Sequence, residues 1–228
     1  MATTRWMPLH SGKGRTVAEA LDRVTDYVEN PEKTNGGNLV TAYQCNQSIA
    51  DQEFLFSKRQ YAVITGREWK DNDVIAYHLR QSFKPGEITP ELANKIGYDL
   101  AMSLTKGKHA FIVCTHVDKQ HIHSHIVFNS TAIDCTRKFR NFWRSSFAVR
   151  RISDMLCLEN GLSVIAEPKP SRGNYGTWLG EDKPPTVRGQ LEQIIDTALG
   201  QDCKDFDSFL AAMKTAGAEV KRGKHLAF

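Results

Sequence analysis

Apolar residues along the 228-residue chain switch repeatedly between a helical and an extended period. "TVAE" from Thr16 to Glu19 has the spacing of a capping box, in which a threonine and a glutamate satisfy each other's free backbone donors. Val17, Ala20, Leu21, Val24 and Val28 then recur at helical intervals, with Tyr27 on the flank of the stripe, and "ENPEKTNGG" ends the helix. "NLVTAYQC" predicts a strand, "DQEFLFSKRQYAVITG" a helix stopped at Gly66, and "DVIAYHLRQSF" a second strand. Thr89 followed by Pro90 starts a helix that runs to about Leu104, because proline is preorganised for the first helical position. "HAFIVCTHV" is a continuous β-rich run, as in a strand covered on both faces. The polar turn "DKQH" joins it to "IHSHIVFNSTAI", so the two predict a central antiparallel hairpin. A helix from about Ser146 to Glu159, closed by "NG", and a short strand "LSVI" follow. Before the first helix the chain reads as a basic loop with two glycines.

This pattern predicts an α/β (α+β) sandwich, with a central, mainly antiparallel sheet flanked by helices. Residues 1–166 form its core, 167–185 a Pro- and Gly-rich arm or linker, and 186–228 an accessory segment with helices starting near Thr186 and Asp205. The chain stops inside the strand-like "AEVKRGKHLAF", so it is expected to be cut from a longer protein. A composition of 40% hydrophobic and 25% charged residues is that of an ordinary soluble globular protein. With no membrane-length apolar run and no secretory h-region in "MATTRWMPLHSGKGR", the expected location is the cytoplasm, with no membrane partner. Five cysteines stand singly without a CxxC pair, which fits reduced thiols. A net charge of +4 argues only weakly for a polyanionic partner, so the clustering of charge matters more.

"THVDKQHIHSHIVFNS", Thr115 to Ser130, carries four of the eight histidines within ten residues. Residues i and i+2 of a strand share a face, so His123 and His125 point together, with Asn129 on the same face. The short turn brings His116 opposite them. Three protein ligands with open positions are what a catalytic metal requires, whereas a closed structural site needs a fourth. Imidazoles suit Zn, Ni, Cu, Fe or Mn, and the sequence does not choose. His121 falls in the turn, and Asp118 is a candidate to receive a ligand histidine's second N–H.

No HExxH helix or other acidic base accompanies the cluster, which argues against a hydrolase of small phosphoesters. "RKFRNFWRSS" instead interleaves Arg137, Lys138, Arg140 and Arg144 with Phe139, Phe142 and Trp143. Cations that track phosphates and rings that stack on bases make a single-strand groove. The competing reading is a charged loop whose aromatics anchor it to the core.

The spacing His116-x-Asp118-x-x-x-x-His123-x-His125-x-x-x-Asn129 resembles the third motif of conjugative relaxases, the mobilisation-protein branch of HUH endonucleases. "YVENPEKT" after a capped helix resembles their N-terminal tyrosine motif, and "AYHLRQSFKPGEITPELANKIG" is similar to the segment between the two in relaxases of integrative conjugative elements from Gram-positive bacteria. The resemblance covers about residues 5–180, and His121 is extra to the motif. It implies an HUH-like fold and a bacterial enzyme whose Tyr27 attacks one phosphodiester at a transfer origin. The products are a 5′-phosphotyrosine and a free 3′-hydroxyl, and the bond is kept for rejoining. Asp118 or a neighbouring histidine would help remove the phenolic proton, and Tyr43 is the reserve nucleophile. A divalent cation, Mn²⁺ or Mg²⁺ ahead of Zn²⁺ or Ni²⁺, would sit on His116, His123 and His125. Partners would be origin DNA, single-stranded with an adjacent hairpin, auxiliary relaxosome proteins and a coupling protein. A rolling-circle replication initiator would share the chemistry. A non-catalytic DNA-binding protein with a structural metal would bind DNA without cleaving it.

Overall fold

The computed structural model describes residues 2–12, 14–70, 72–142, 144–166, 187–200, 205–219, 221–222 and 226–227. The capping box closes as the spacing predicts. The Glu19 amide donates to Thr16 Oγ1 (3.2 Å), and the Thr16 amide donates to the Glu19 carboxylate (2.8 Å). Helix α1 (Val17–Glu29) starts there. Strand β2 (Val40–Tyr43), helix α2 (Ala50–Thr65), strand β3 (Ala76–Ser82) and helix α3 (Pro90–Thr105) follow, the last with Thr89 as cap and Pro90 in its first turn. Strands β4 (Phe111–His116) and β5 (His123–Asn129) form the expected hairpin, buried at every position, before helix α4 (Ser145–Glu159).

Two expectations fail. The supposed N-terminal loop contains strand β1 (Thr3–Leu9), paired antiparallel to β3 along its length. Its local pattern is weak, but it is an edge strand, where Pro8 is tolerated, and Trp6 stacks on Tyr77 at 4.8 Å. Tertiary packing makes this strand. Conversely, "LSVI" joins no ladder. Gly161, at φ 70°, ends α4 in the left-handed conformation, and the Leu162 amide turns back to the Cys157 carbonyl (2.8 Å). Leu162 is therefore buried as a helix-terminal contact instead of a strand residue.

The five strands run antiparallel in the order β1-β3-β5-β4-β2. Leu79, Phe111, Val113, Ile126 and Phe128 pack on one face with Ile96 and Leu100 of α3 and Val149 of α4. Ala76, Ile112, Cys114 and Val127 pack on the other with Leu21 and Val28 of α1 and Phe54 of α2. The chain divides into two compact units, Met1–Pro168 and Lys169–Phe228. In the second, helices α5 (Val187–Gly200) and α6 (Phe206–Thr215) bury Ala198, Leu210 and Met213, and strands β6 (Lys221–Arg222) and β7 (Leu226–Ala227) form a small antiparallel pair. The expected arm, 167–185, lies outside the described residues. Among the described residues no helix is long and apolar enough to cross a membrane.

Candidate active site

His116 ends β4 and His123 begins β5, directly opposite each other in register, while His125 follows on the same face. Their ligand nitrogens lie within 4.8 Å of one another, and all three side chains are buried. Each ring is held from behind. His116 Nε2 donates to the Val28 carbonyl (2.9 Å), and His123 Nδ1 to that of His121 (3.3 Å). His125 Nδ1 shares a proton with His78 Nε2 at 2.7 Å. His125 Nε2 is buried without a partner.

Burial keeps these imidazoles neutral. It pushes His123 and His78 down to about 4 and lowers His116 and His125 as well, with the neighbouring histidines adding to the effect at His125. Neutral rings with oriented lone pairs and one orphaned nitrogen are a donor set that fits a divalent ion, and the carbonyl and imidazole partners fix their orientation. His78 is the contributor that sequence reasoning missed. It shares the cluster's face only because β3 pairs with β5, a long-range fact with no local signal.

The helix end is tied to the cluster twice, through the Val28 carbonyl and through the Val117 amide, which donates to the Lys33 carbonyl (2.9 Å). This sets Tyr27 edge-on to His125 and His116, with ring centroids 5.5 and 6.0 Å apart. Tyr27 is 50% exposed, its hydroxyl has no hydrogen-bond partner among the described residues, and Lys33 Nζ lies 4.7 Å from the ring centroid. Tyr43 is on the opposite face of the sheet, stacked on Phe111 and bonded to the Gly107 carbonyl, so it does not reach the cluster. Asp118 lies within electrostatic range of His116 and His123, but its contact is with Lys119 (3.9 Å) and not with an imidazole. The His121 ring stands 5.2 Å from that of His123, outside the three-nitrogen group.

Asn129 shares the strand face as expected, but it is buried beneath α2, where it accepts from Lys58 Nζ and donates to the Phe54 carbonyl. It cannot face DNA there. The segment 137–144 begins beyond Asn129, about 20 Å along β5 from His123 at the usual strand rise. Phe139 is built into the core against Trp6, Tyr77 and Phe128, so the anchoring reading holds for it. Lys138 pairs with Asp73 (2.8 Å) over the Trp69 ring, and Arg137 with Asp134 (3.4 Å). Arg140, Phe142 and Arg144 are exposed. Trp143 lies outside the described residues.

A family model for relaxases, the MobA/VirD2-like nuclease domain, matches residues 27–162. The chain is 28% identical over 221 residues to the group II intron-interrupted relaxase LtrB of Lactococcus lactis, covering 82% of this chain and 39% of the relative. It is 27% identical over 215 residues to protein rlx of Staphylococcus aureus, covering 92% of this chain and 64% of that one. The chain thus spans less than two thirds of the length of either relative. A solved structure described as the molecular basis of vancomycin resistance transfer in Staphylococcus aureus aligns with a TM-score of 0.49 at 14% identity, over 74% of this chain and all of that one.

Proposed function

This chain belongs to the MobA/VirD2-like relaxase family, and on that premise we propose that its nuclease unit, residues 1–166, nicks and rejoins one DNA strand at a transfer origin to start conjugative transfer. The observation that carries this reading is Tyr27, half exposed, its hydroxyl without a hydrogen-bond partner among the described residues and its ring edge-on to two of the clustered histidines. Its oxygen attacks one phosphodiester in line, the P–O3′ bond breaks, and the upstream segment leaves through O3′, which takes up a proton to become the 3′-hydroxyl, while the 5′-phosphate of the downstream segment stays on the tyrosine. Attack by a free hydroxyl in the reverse direction regenerates the phenol, so no bond energy is lost.

His116, His123 and His125 would hold a divalent cation, which when bound polarises the non-bridging oxygens of the scissile phosphate. Mn²⁺ and Mg²⁺ are the expected ions, with Zn²⁺ and Ni²⁺ as the others these ligands take. We assign Asp118 to take the departing phenolic proton, with Lys33 Nζ 4.7 Å from the Tyr27 ring centroid as the nearby cation. The exposed Arg140, Phe142 and Arg144 would meet the DNA away from the reacting phosphate. Residues 186–228, auxiliary relaxosome proteins and a coupling protein belong to the same reading as accessories of transfer.

The test is an adduct assay on origin-derived single-stranded DNA, with denaturing gels and mapping of the modified peptide. A metal-dependent covalent adduct on Tyr27, absent in Tyr27→Phe while DNA is still bound, is the expected result. An adduct on the Phe variant would remove Tyr27 from the role. A cognate origin bound without any adduct would replace the enzyme with a binding protein.

A further inference from the structure

Beside the histidine cluster the sheet carries positive charge that the chemistry above leaves unused. Arg80 on β3 is the register partner of His125, and Arg5 on β1 is the register partner of Arg80, so the three form one row across a single face. Adjacent strands are about 4.8 Å apart, so both guanidinium stems start within two strand spacings of His125. The apolar residues of α1 and α2 cover the β4 and β5 side of this face, whereas Arg5 is exposed and Arg80 half-buried. Both arginines act electrostatically on His78, and Arg80 also on His125.

Like charges directly opposite on paired strands destabilise a sheet. Neither arginine has an ion-pair partner among the described residues. In contrast, Lys138 and Arg137 of the basic, aromatic segment are already neutralised by Asp73 and Asp134. Two unpaired guanidiniums next to a site that would itself take a dication call for an anion from outside. The planar fork of arginine matches a phosphate in bidentate geometry.

We propose that Arg5 and Arg80 form a clamp for a backbone phosphate of the DNA strand, next to the phosphate that reacts. The clamp rests on the relaxase reading and supplies that reading with a DNA path, running across β3 and β1 from the cluster.

The experiment uses the full chain, freed of metal with a chelator, and measures binding of fluorescent oligothymidylate over a range of salt concentrations. For Arg5→Gln/Arg80→Gln the slope of log K against log salt should fall by about 0.7 for each phosphate that the arginines no longer neutralise, as for single strands generally. Lys95→Gln, on α3 over the other face and paired with Asp99, should keep the slope. The double variant relieves a repulsion, so its melting temperature should not drop. In nicking assays it should need more substrate to reach half-maximal rate, with kcat held. An unchanged slope while the unaltered chain binds and nicks overturns the clamp alone. A slope that changes only together with a lower melting temperature also overturns it, since that marks a structural role. Failure of the unaltered chain to bind single strands at all overturns the relaxase reading with it.

Discussion

Replacing His125 with alanine tests the metal centre without reference to catalysis. His125 is buried, its Nδ1 shares a proton with His78, and its Nε2 is buried without a partner. An ion that binds only the folded state stabilises it by about 2.7 kcal/mol at a hundredfold excess over its dissociation constant. For a unit the size of Met1–Pro168, each 1 kcal/mol moves the melting temperature by about 2–4 °C. The unaltered chain, stripped with a chelator and titrated with Mn²⁺, should therefore gain about 5–11 °C near that excess. His125→Ala should gain almost nothing, because two imidazoles remain where three converge. The variant's metal-free melting point will also differ, since it leaves a cavity and strands His78 Nε2, so the metal-dependent increment is the quantity to compare. His121→Ala, outside the three-nitrogen group, should keep the increment. Differential scanning fluorimetry reads all three proteins under one set of conditions. An equal rise in His125→Ala and the unaltered chain would refute the three-histidine site, and loss of the rise in His121→Ala would enlarge it.

Two further outcomes follow from the supporting structure. Burial, with Asp51 and Asp26 nearby, pushes the Glu29 carboxyl up from 4.5 to about 7, and one of its oxygens is buried without a partner. Between those values the native state keeps a proton that the unfolded chain has lost, so stability falls as pH rises through the window. The ceiling is roughly 3 kcal/mol, and solvent reaching this half-buried group reduces it to about 1–2. Glu29→Gln should thus match the unaltered chain near pH 4 and exceed it by that amount near pH 8 in urea melts, and parallel pH profiles would contradict this. At Gly97 an added Cβ would meet Val113 Cγ1 at 2.8 Å and Ser124 Cβ at 3.3 Å. Overpacking at about 1–3 kcal/mol outweighs a helix-propensity gain of about 1, so Gly97→Ala should destabilise, and a raised melting temperature would show that α3 shifts without cost.

What was legible in the sequence was whatever a short stretch of chain determines. A period of two and a tight turn bring His116, His123 and His125 together without reference to any other strand, and the capping box places Tyr27 near the end of its helix. What was not legible depends on which strands become neighbours. β1 has little pattern of its own and exists because β3 pairs with it, so Arg5, Arg80 and His78 reach the cluster's row and face only through pairings distant in sequence. The same cause bears on the expected DNA groove. The density of arginine and aromatic residues along the chain favoured 137–144, yet that density says nothing about which cations keep a carboxylate. Folding sets Asp73 against Lys138 and Asp134 against Arg137, and Phe139 closes the core. Asn129 went the same way, correctly assigned to a face but not to the part of it that α2 covers. A phosphate is drawn to charge left uncompensated after such pairing, so Arg5 and Arg80 on an uncovered edge of the sheet are better placed to hold the strand beside the cluster than Arg137 and Lys138, whose charge the fold has already answered.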